Sequence, residues 1–287
     1  MAEIPEPNHS TAALIDEYHE KQQDNPRPHL GGSLLGHPCE RWLWLSFRWV
    51  VVEQFPGRIL RLFRRGQNEE ETIVDDLRAI GCEVVDQMAD GSQWRVDFGN
   101  HVSGSIDGLI TEGLPEAPKS KHLLEIKTHS KKSFDDLSRH GVKKSKPQHW
   151  AQMQVYMLGT GVERALYAAV CKDDDRYHFE RIYFDKDAAQ ALVDRGHRLV
   201  SSDRLPPPIS TDPTWYQCKF CPAHSFCHKG EPVHEENCRT CGWSTAMPDS
   251  TWRCEKHGAT IPTEEQRKRQ PCFELHDDVA DLIAKEG

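Results

Sequence analysis

In the segment HLLEIKTHS, residues 122–130, a glutamate and a lysine stand two positions apart, at Glu125 and Lys127. Strand side chains alternate between faces, so on a strand these two point the same way. Alone, that is an ordinary ion pair. Upstream, SGSIDGLI carries Asp107 on a second strand-like segment able to pair with LLEIK, which sets a second carboxylate beside the first. Two carboxylates converging on one point repel unless a cation occupies it, and oxygen donors of this type suit Mg²⁺ or Mn²⁺. Such an ion lowers the pKa of a bound water and neutralises charge developing on a phosphodiester, while a lysine holds that water or the transition-state oxygen. Asp, then Glu-x-Lys, is a minimal kit for phosphodiester hydrolysis.

Sulfur is the second concentration of chemistry. Seven of the ten cysteines fall between Cys218 and Cys272. A reducing compartment disfavours disulfides, so the clustering points to metal. Cys218-x2-Cys221-x5-Cys227 has the close spacing that lets one loop wrap a metal centre, and it leaves one ligand position open. Further on, Cys238-x2-Cys241 with Cys254 supplies three more sulfurs. Its fourth ligand is Cys272 or His257, with His276 a weaker candidate; Cys272 is favoured because a free thiol beside a soft metal is unusual, and zinc suits the set. Cys82 and Cys171 read as buried residues at strand ends.

Positioning such groups requires a core, which 287 residues with 37% hydrophobic content can build. The pattern opens with a helix capped by Ser10, then a Pro/Gly-containing loop, then CERWLWLSFRWVV as a buried helix. Residues 57–80 have apolar positions at helical spacing, ending at Gly81. From Cys82 the period changes to strands: CEVVDQM, SQWRVDF, HVSGSIDGLI with a Gly99-Asn100 hairpin signal, and HLLEIKT. KPQHWAQMQVYMLGTG reads as a helix, RALYAAVC and RYHFERIYF as strands, and DKDAAQALVDRGHRLVSS as a helix. LPPPISTDP, residues 205–213, forms a proline-rich joint to the cysteine-rich tail. This order predicts an α/β or α+β core with a mixed sheet.

These residues resemble the PD-(D/E)XK nuclease superfamily in its RecB-like and phage-exonuclease branch. The resemblance covers residues 66–156: RRGQNEEE matches a helix motif of glycine followed four residues later by an acid, selecting Glu70, with Glu69 and Glu71 as neighbouring registers. GSIDG supplies Asp107, LLEIK supplies Glu125 and Lys127, and QMQVY supplies Gln152 and Tyr156 as a Q-x-x-x-Y element. The resemblance implies a restriction-endonuclease-like core in which a central mixed sheet is flanked by helices. It also implies that Asp107, Glu125 and the backbone carbonyl of Ile126 bind Mg²⁺ or Mn²⁺, that Lys127 handles the nucleophilic water, and that Glu70 assists the metal. Gln152 and Tyr156 would line the site or the DNA strand. In an iron–sulfur branch similar to AddB-type and CRISPR-associated nucleases, a lone cysteine before the core joins three after it. Cys39, in GHPCERWLW, stands in that position, which implies a [4Fe–4S] cluster on Cys39, Cys218, Cys221 and Cys227, with a zinc site on the same thiolates as the alternative.

The implied organisation is an N-terminal helical segment over 1–56, a nuclease core over 57–210, an iron–sulfur segment over 211–232 and a zinc-binding module over 233–287. The expected activity is metal-dependent DNA hydrolysis, an exonuclease in recombination, repair or phage replication acting on single-stranded DNA or duplex ends. The alternatives are a structure-specific endonuclease and a non-catalytic nucleic-acid-binding or assembly module. A net charge of −9 excludes wholesale coating of nucleic acid, but basic runs at 58–66 and from Lys131 to Lys146 suit a phosphate backbone flanking a groove. A recombination or replication protein partner is compatible with this role. No apolar run of 18 residues occurs, and the N-terminus lacks the basic and apolar stretches of a signal peptide, so the expected location is cytoplasmic, away from membranes.

Overall fold

The Ser10 hydroxyl accepts from the Ala13 amide and starts α1 (Thr11–Lys21), as its position before an amphipathic run predicts. The structure, a computed structural model, describes residues 10–233 and 235–284; residues 1–9, on which the signal-peptide argument rests, lie outside the described residues, as do 234 and 285–287. After β1 (Leu30–Gly31) comes α2 (Glu40–Phe47), whose Trp42, Leu43, Trp44, Leu45 and Phe47 are all buried. Then α3 (Gly57–Ala79) runs for 23 residues, burying Ile73, Val74 and Leu77 on one stripe. No helix among the described residues is long and apolar enough to cross a membrane.

The strands β2 (Glu83–Val85), β3 (Arg95–Asp97), β4 (Val102–Ser105), β5 (Gly108–Glu112) and β6 (His122–His129) follow. Next come α4 (Lys131–His140), α5 (Val142–Ser145) and α6 (Pro147–Thr160), then β7 (Arg164–Cys171), β8 (Tyr177–Tyr183) and α7 (Lys186–Val200). Five strands form the central sheet in the order β2-β5-β6-β7-β8, with β6 and β7 parallel and the other neighbours antiparallel. Leu124 and Ile126 pack with Leu166, Ala168 and Val170 in one buried cluster that includes Ile73, Val74 and Leu77 of α3. Leu123, Tyr167 and Ala169 cluster instead with Met153, Val155 and Tyr156 of α6. This is a mixed α/β fold with helices on both faces of a mixed sheet, consistent with a restriction-endonuclease-like core.

One difference from the sequence pattern matters for the site. HVSGSIDGLI reads as one strand, but the chain breaks at Ile106 and Asp107: β4 joins a separate sheet, β1-β4-β3, while β5 joins the central sheet. The Ile106 amide is spent on the Trp94 carbonyl at 3.0 Å, and the Asp107 carboxylate accepts from the Ile126 amide at 2.7 Å. Alternation cannot reveal such a change of sheet, because both halves keep the same period.

The tail contains α8 (Tyr216–Lys219), α9 (His224–Lys229), a three-stranded antiparallel sheet of β9 (Ser244–Ala246), β10 (Trp252–Cys254) and β11 (Ala259–Ile261), and α10 (Asp277–Ala284). It packs back on the core: Trp252 and Ile261 belong to the same buried cluster as Leu123 and Tyr167. Two buried arginines lock the contact. Arg239 donates to the Phe47 and Pro28 carbonyls and to Gln266, and lies 3.8 Å from the Trp49 ring centroid; Arg48 donates to the Ser244 carbonyl at 3.3 Å. Cations without a carboxylate are held here by carbonyl dipoles and aromatic faces.

Candidate active site

Asp107 stands one residue before β5, and the register of Gly108 opposite Leu124 brings it beside the middle of β6. Glu125, Lys127 and His129 share one face of β6, and the parallel register places Tyr167 of β7 next to Glu125. Glu125 is fully buried, and its Oε2 has no hydrogen-bond partner among the described residues. Its Oε1 forms an ion pair with the Lys127 ammonium. The same Nζ donates to the Ile126 carbonyl at 3.0 Å and lies 3.8 Å from Asp107 Oδ2. One ammonium therefore sits where two carboxylates and a backbone carbonyl converge.

Burial is the largest influence on Glu125, pushing it up to about 8; Asp107 and Glu70 push the same way and Lys127 opposes them. For Lys127, burial favours the neutral amine, but the charges of Glu125 and Asp107 outweigh it and hold the ammonium above the usual lysine range. Among the three consecutive acids of α3, Glu70 is the one that senses the site. Burial raises it to about 7, with Asp107 adding and Lys127 opposing. Glu71 is exposed, and Glu69 acts instead on Tyr177.

Gln152 and Tyr156 lie one helical turn apart on α6, both buried. Burial raises the Tyr156 phenol, and the Glu125 and Asp107 charges raise it further. Two glycines make room for it: a Cβ on Gly104 would fall 2.6 Å from Tyr156 Oη, and one on Gly32 would fall 2.6 Å from Cε1. Gln154, between them, serves the fold instead, bonding the Tyr183 carbonyl at 3.0 Å and the Asp185 amide at 2.7 Å. A further network has no counterpart in the sequence analysis. The Tyr167 hydroxyl sits 2.9 Å from His129 Nε2 and 2.7 Å from His149 Nδ1, on the same face as Glu125. Burial lowers both imidazoles, to about 4 for His129 and about 3 for His149, so both stay neutral at physiological pH. The period-2 position of His129 after Glu125 and Lys127 was the available signal.

The cysteines gather in two small cavities. Cys39, Cys218, Cys221 and Cys227 line one, drawn from the start of α2 and from the α8–α9 segment. Cys238, Cys241, Cys254 and Cys272 line the other. His257 is exposed and does not line that cavity. His276 is committed elsewhere, with Nε2 3.0 Å from the Asp203 carbonyl and Nδ1 accepting from the Asp278 amide. Among the described residues, no group of three or more His, Cys, Asp or Glu side chains is arranged to hold a metal ion, so each quartet shares a cavity without forming a closed coordination sphere. Cys82 and Cys171 are buried away from both.

No protein-family model matches the chain, and no curated protein matches its sequence. Among solved structures it is similar to SSO0001, at 13% identity and a TM-score of 0.43, over 77% of this chain and 97% of that one. It is similar to an alkaline exonuclease, LHK-Exo from Laribacter hongkongensis, at 17% identity and a TM-score of 0.41, over 64% of this chain and 90% of that one. A phage-related exonuclease from Haemophilus somnus 129PT is 16% identical, with a TM-score of 0.32, over 48% of this chain and 68% of that one.

Proposed function

We propose that this chain is a Mg²⁺- or Mn²⁺-dependent DNA nuclease of RecB-like type, an exonuclease of recombination, repair or phage replication. The observation that carries this is the Glu125 carboxylate, fully buried, converging with Asp107 and the Ile126 carbonyl on one lysine ammonium and leaving its second oxygen without a partner. A buried carboxylate answered by one ammonium, with an oxygen left unpartnered, is costly in a purely structural role. The donor set is that of a hard divalent cation, with Lys127 standing in for its charge, so the residues present fit the ion. Asp107, Glu125 and the Ile126 carbonyl would hold it, and when bound it would acidify a water and offset charge on the phosphodiester. Lys127, moved off the shared point, is placed to orient that water and to donate to the oxygen where charge develops. Glu70 adds negative charge from α3. Tyr156 and Gln152, buried one turn apart on α6, would line the site or the DNA strand.

On the same reading, Cys39, Cys218, Cys221 and Cys227 bind a [4Fe–4S] cluster that ties α2 to the α8–α9 segment, and Cys238, Cys241, Cys254 and Cys272 bind zinc. Support comes from each quartet sharing one cavity. Both groups would act as clips that close long loops.

The test is hydrolysis of end-labelled linear and circular DNA, single- and double-stranded, with Mg²⁺, Mn²⁺ or EDTA. Metal-dependent loss of linear but not circular substrate supports the exonuclease. Cutting of circles converts the assignment to an endonuclease. Absence of metal-dependent cutting, or undiminished cutting by Lys127→Ala, sinks the enzyme. Elemental analysis of anaerobically purified protein should find about four irons and one zinc per chain.

A further inference from the structure

A second feature adjoins the carboxylates. Leu60, Phe63, Gln67 and Glu70 follow one another at spacings of three or four and so occupy one face of α3. The last of these senses Asp107 and Lys127, while the first three line an open cleft of about 560 Å³ whose opposite wall is the loop after α1. Cleft and site also share Tyr156. Its ring packs on Gly32, next to the cleft-lining Leu30 and Ser33, and its phenol feels both the Glu125 carboxylate and the Arg27 guanidinium of the cleft. The cleft thus neighbours the catalytic centre, sharing with it the helix α3 and the packing of Tyr156 on Gly32.

Its lining has a particular chemistry. Phe63 is 47% exposed although it is a large apolar side chain. It meets Phe55 edge to face, ring centroids 5.0 Å apart, and the Phe55 amide donates to Gln23 Oε1 at 2.8 Å, which fixes that wall. Arg27 donates to Ser33 Oγ at 3.4 Å and has no carboxylate within 4.0 Å among the described residues, in a chain whose net charge is −9. Asp24 and Glu53 also line the cleft. An exposed aromatic surface beside an unpaired guanidinium is what a nucleotide requires, a π face for the base and a cation for the phosphate. The volume is that of a small-ligand site and excludes a duplex.

Resting on the nuclease reading, we propose that this cleft binds a short run of unpaired nucleotides of the strand being cut, stacking a base on Phe63 and seating a phosphate on Arg27. The enzyme then acts on single-stranded DNA or on ends that fray into the cleft, and an intact duplex cannot reach the carboxylates from this side. Asp24 and Glu53 repel phosphate, which directs the backbone toward the Arg27 wall.

The test is fluorescence anisotropy of the full chain with fluorescein-labelled oligothymidylate and with a blunt duplex of equal length, in EDTA so that nothing is hydrolysed. Phe63→Ala should weaken oligothymidylate binding by about 5- to 150-fold, the range given by one base stack of about 1–3 kcal/mol, and Phe63→Trp should restore it. Arg27→Ala should weaken it and flatten its salt dependence, while Arg27→Lys retains part of both. Thermal melting of each variant separates loss of binding from loss of fold, and the exposed positions make retention of fold the expected result. Wild-type affinity in both alanine variants, tighter binding of the blunt duplex than of oligothymidylate, or no binding of either by wild type would overturn the proposal. Binding without cutting in Mg²⁺ would leave the cleft standing and remove the nuclease. Cutting with KM unmoved by Phe63→Ala would do the reverse.

Discussion

Replacing Glu125 by glutamine separates an ion pair that holds the fold from a site built for a cation. The ordinary glutamate value is 4.5, and burial lifts Glu125 to about 8. At about 1.4 kcal/mol per pH unit, ionising this carboxyl inside the fold costs on the order of 5 kcal/mol. Because the folded value lies above the unfolded one, its contribution to stability is fully present below pH 4.5 and is lost as pH rises through about 8. Glutamine has nearly the same shape and no such titration. Lys127 would not be orphaned, since it keeps the Ile126 carbonyl at 3.0 Å and Asp107 at 3.8 Å, and its side chain is 26% exposed. Urea unfolding in EDTA, followed by fluorescence of the eight tryptophans, should therefore find Glu125→Gln equal to wild type near pH 4.5. The variant should gain on wild type as pH rises from 4.5 through about 8, and the gap should level off above pH 8. Saturating Mn²⁺ should raise the melting temperature of wild type at pH 8 and leave the variant's unchanged. A structural ion pair predicts the opposite sign, a loss of about 3–5 kcal/mol on removing one partner. That loss at pH 7, or a difference that does not change with pH, would refute the argument.

Three further outcomes follow from the packing. Gly104→Ala places a methyl 2.6 Å from Tyr156 Oη and should cost about 1–3 kcal/mol in urea unfolding; unchanged stability would mean that the tyrosine is not held there. Arg239→Ala leaves the Phe47 and Pro28 carbonyls and Gln266 without their donor in a dry interface, for a loss of about 3–5 kcal/mol. Arg239→Lys should recover little of it, because an ammonium cannot reproduce the fork, and full recovery would show that charge alone suffices. Cys272→Ala should abolish bound zinc by elemental analysis while His257→Ala retains it; the reverse pattern would exchange the fourth ligand.

Local pattern made much of the fold legible. Alternation marked β6, helical spacing marked α3 and α6, and Ser10 marked the start of α1, because these depend on neighbours a few residues away. The basic run from Lys131 to Lys146 was legible only as charge, although it folds as α4 and α5. The proline-rich joint read as a boundary, whereas the tail beyond it contributes Trp252 and Ile261 to the main core. A sequence shows where the chain is free to turn, and packing decides what it turns back onto.

Residue types and spacing alone determined that Glu125 and Lys127 share a face and that the tail cysteines fall into two groups, and they allowed Asp107's segment to pair beside LLEIK. Tertiary structure decided the rest. It split HVSGSIDGLI at Asp107 so that this carboxylate could meet the Ile126 amide. It turned Glu70 rather than its neighbours toward the site, set Cys272 rather than His257 on the second cavity, and brought Tyr167 and two histidines alongside Glu125. The physical reason is common to all of these. Each depends on segments far apart in sequence meeting at a fixed distance, and burial then sets the energies of the charges they bring together.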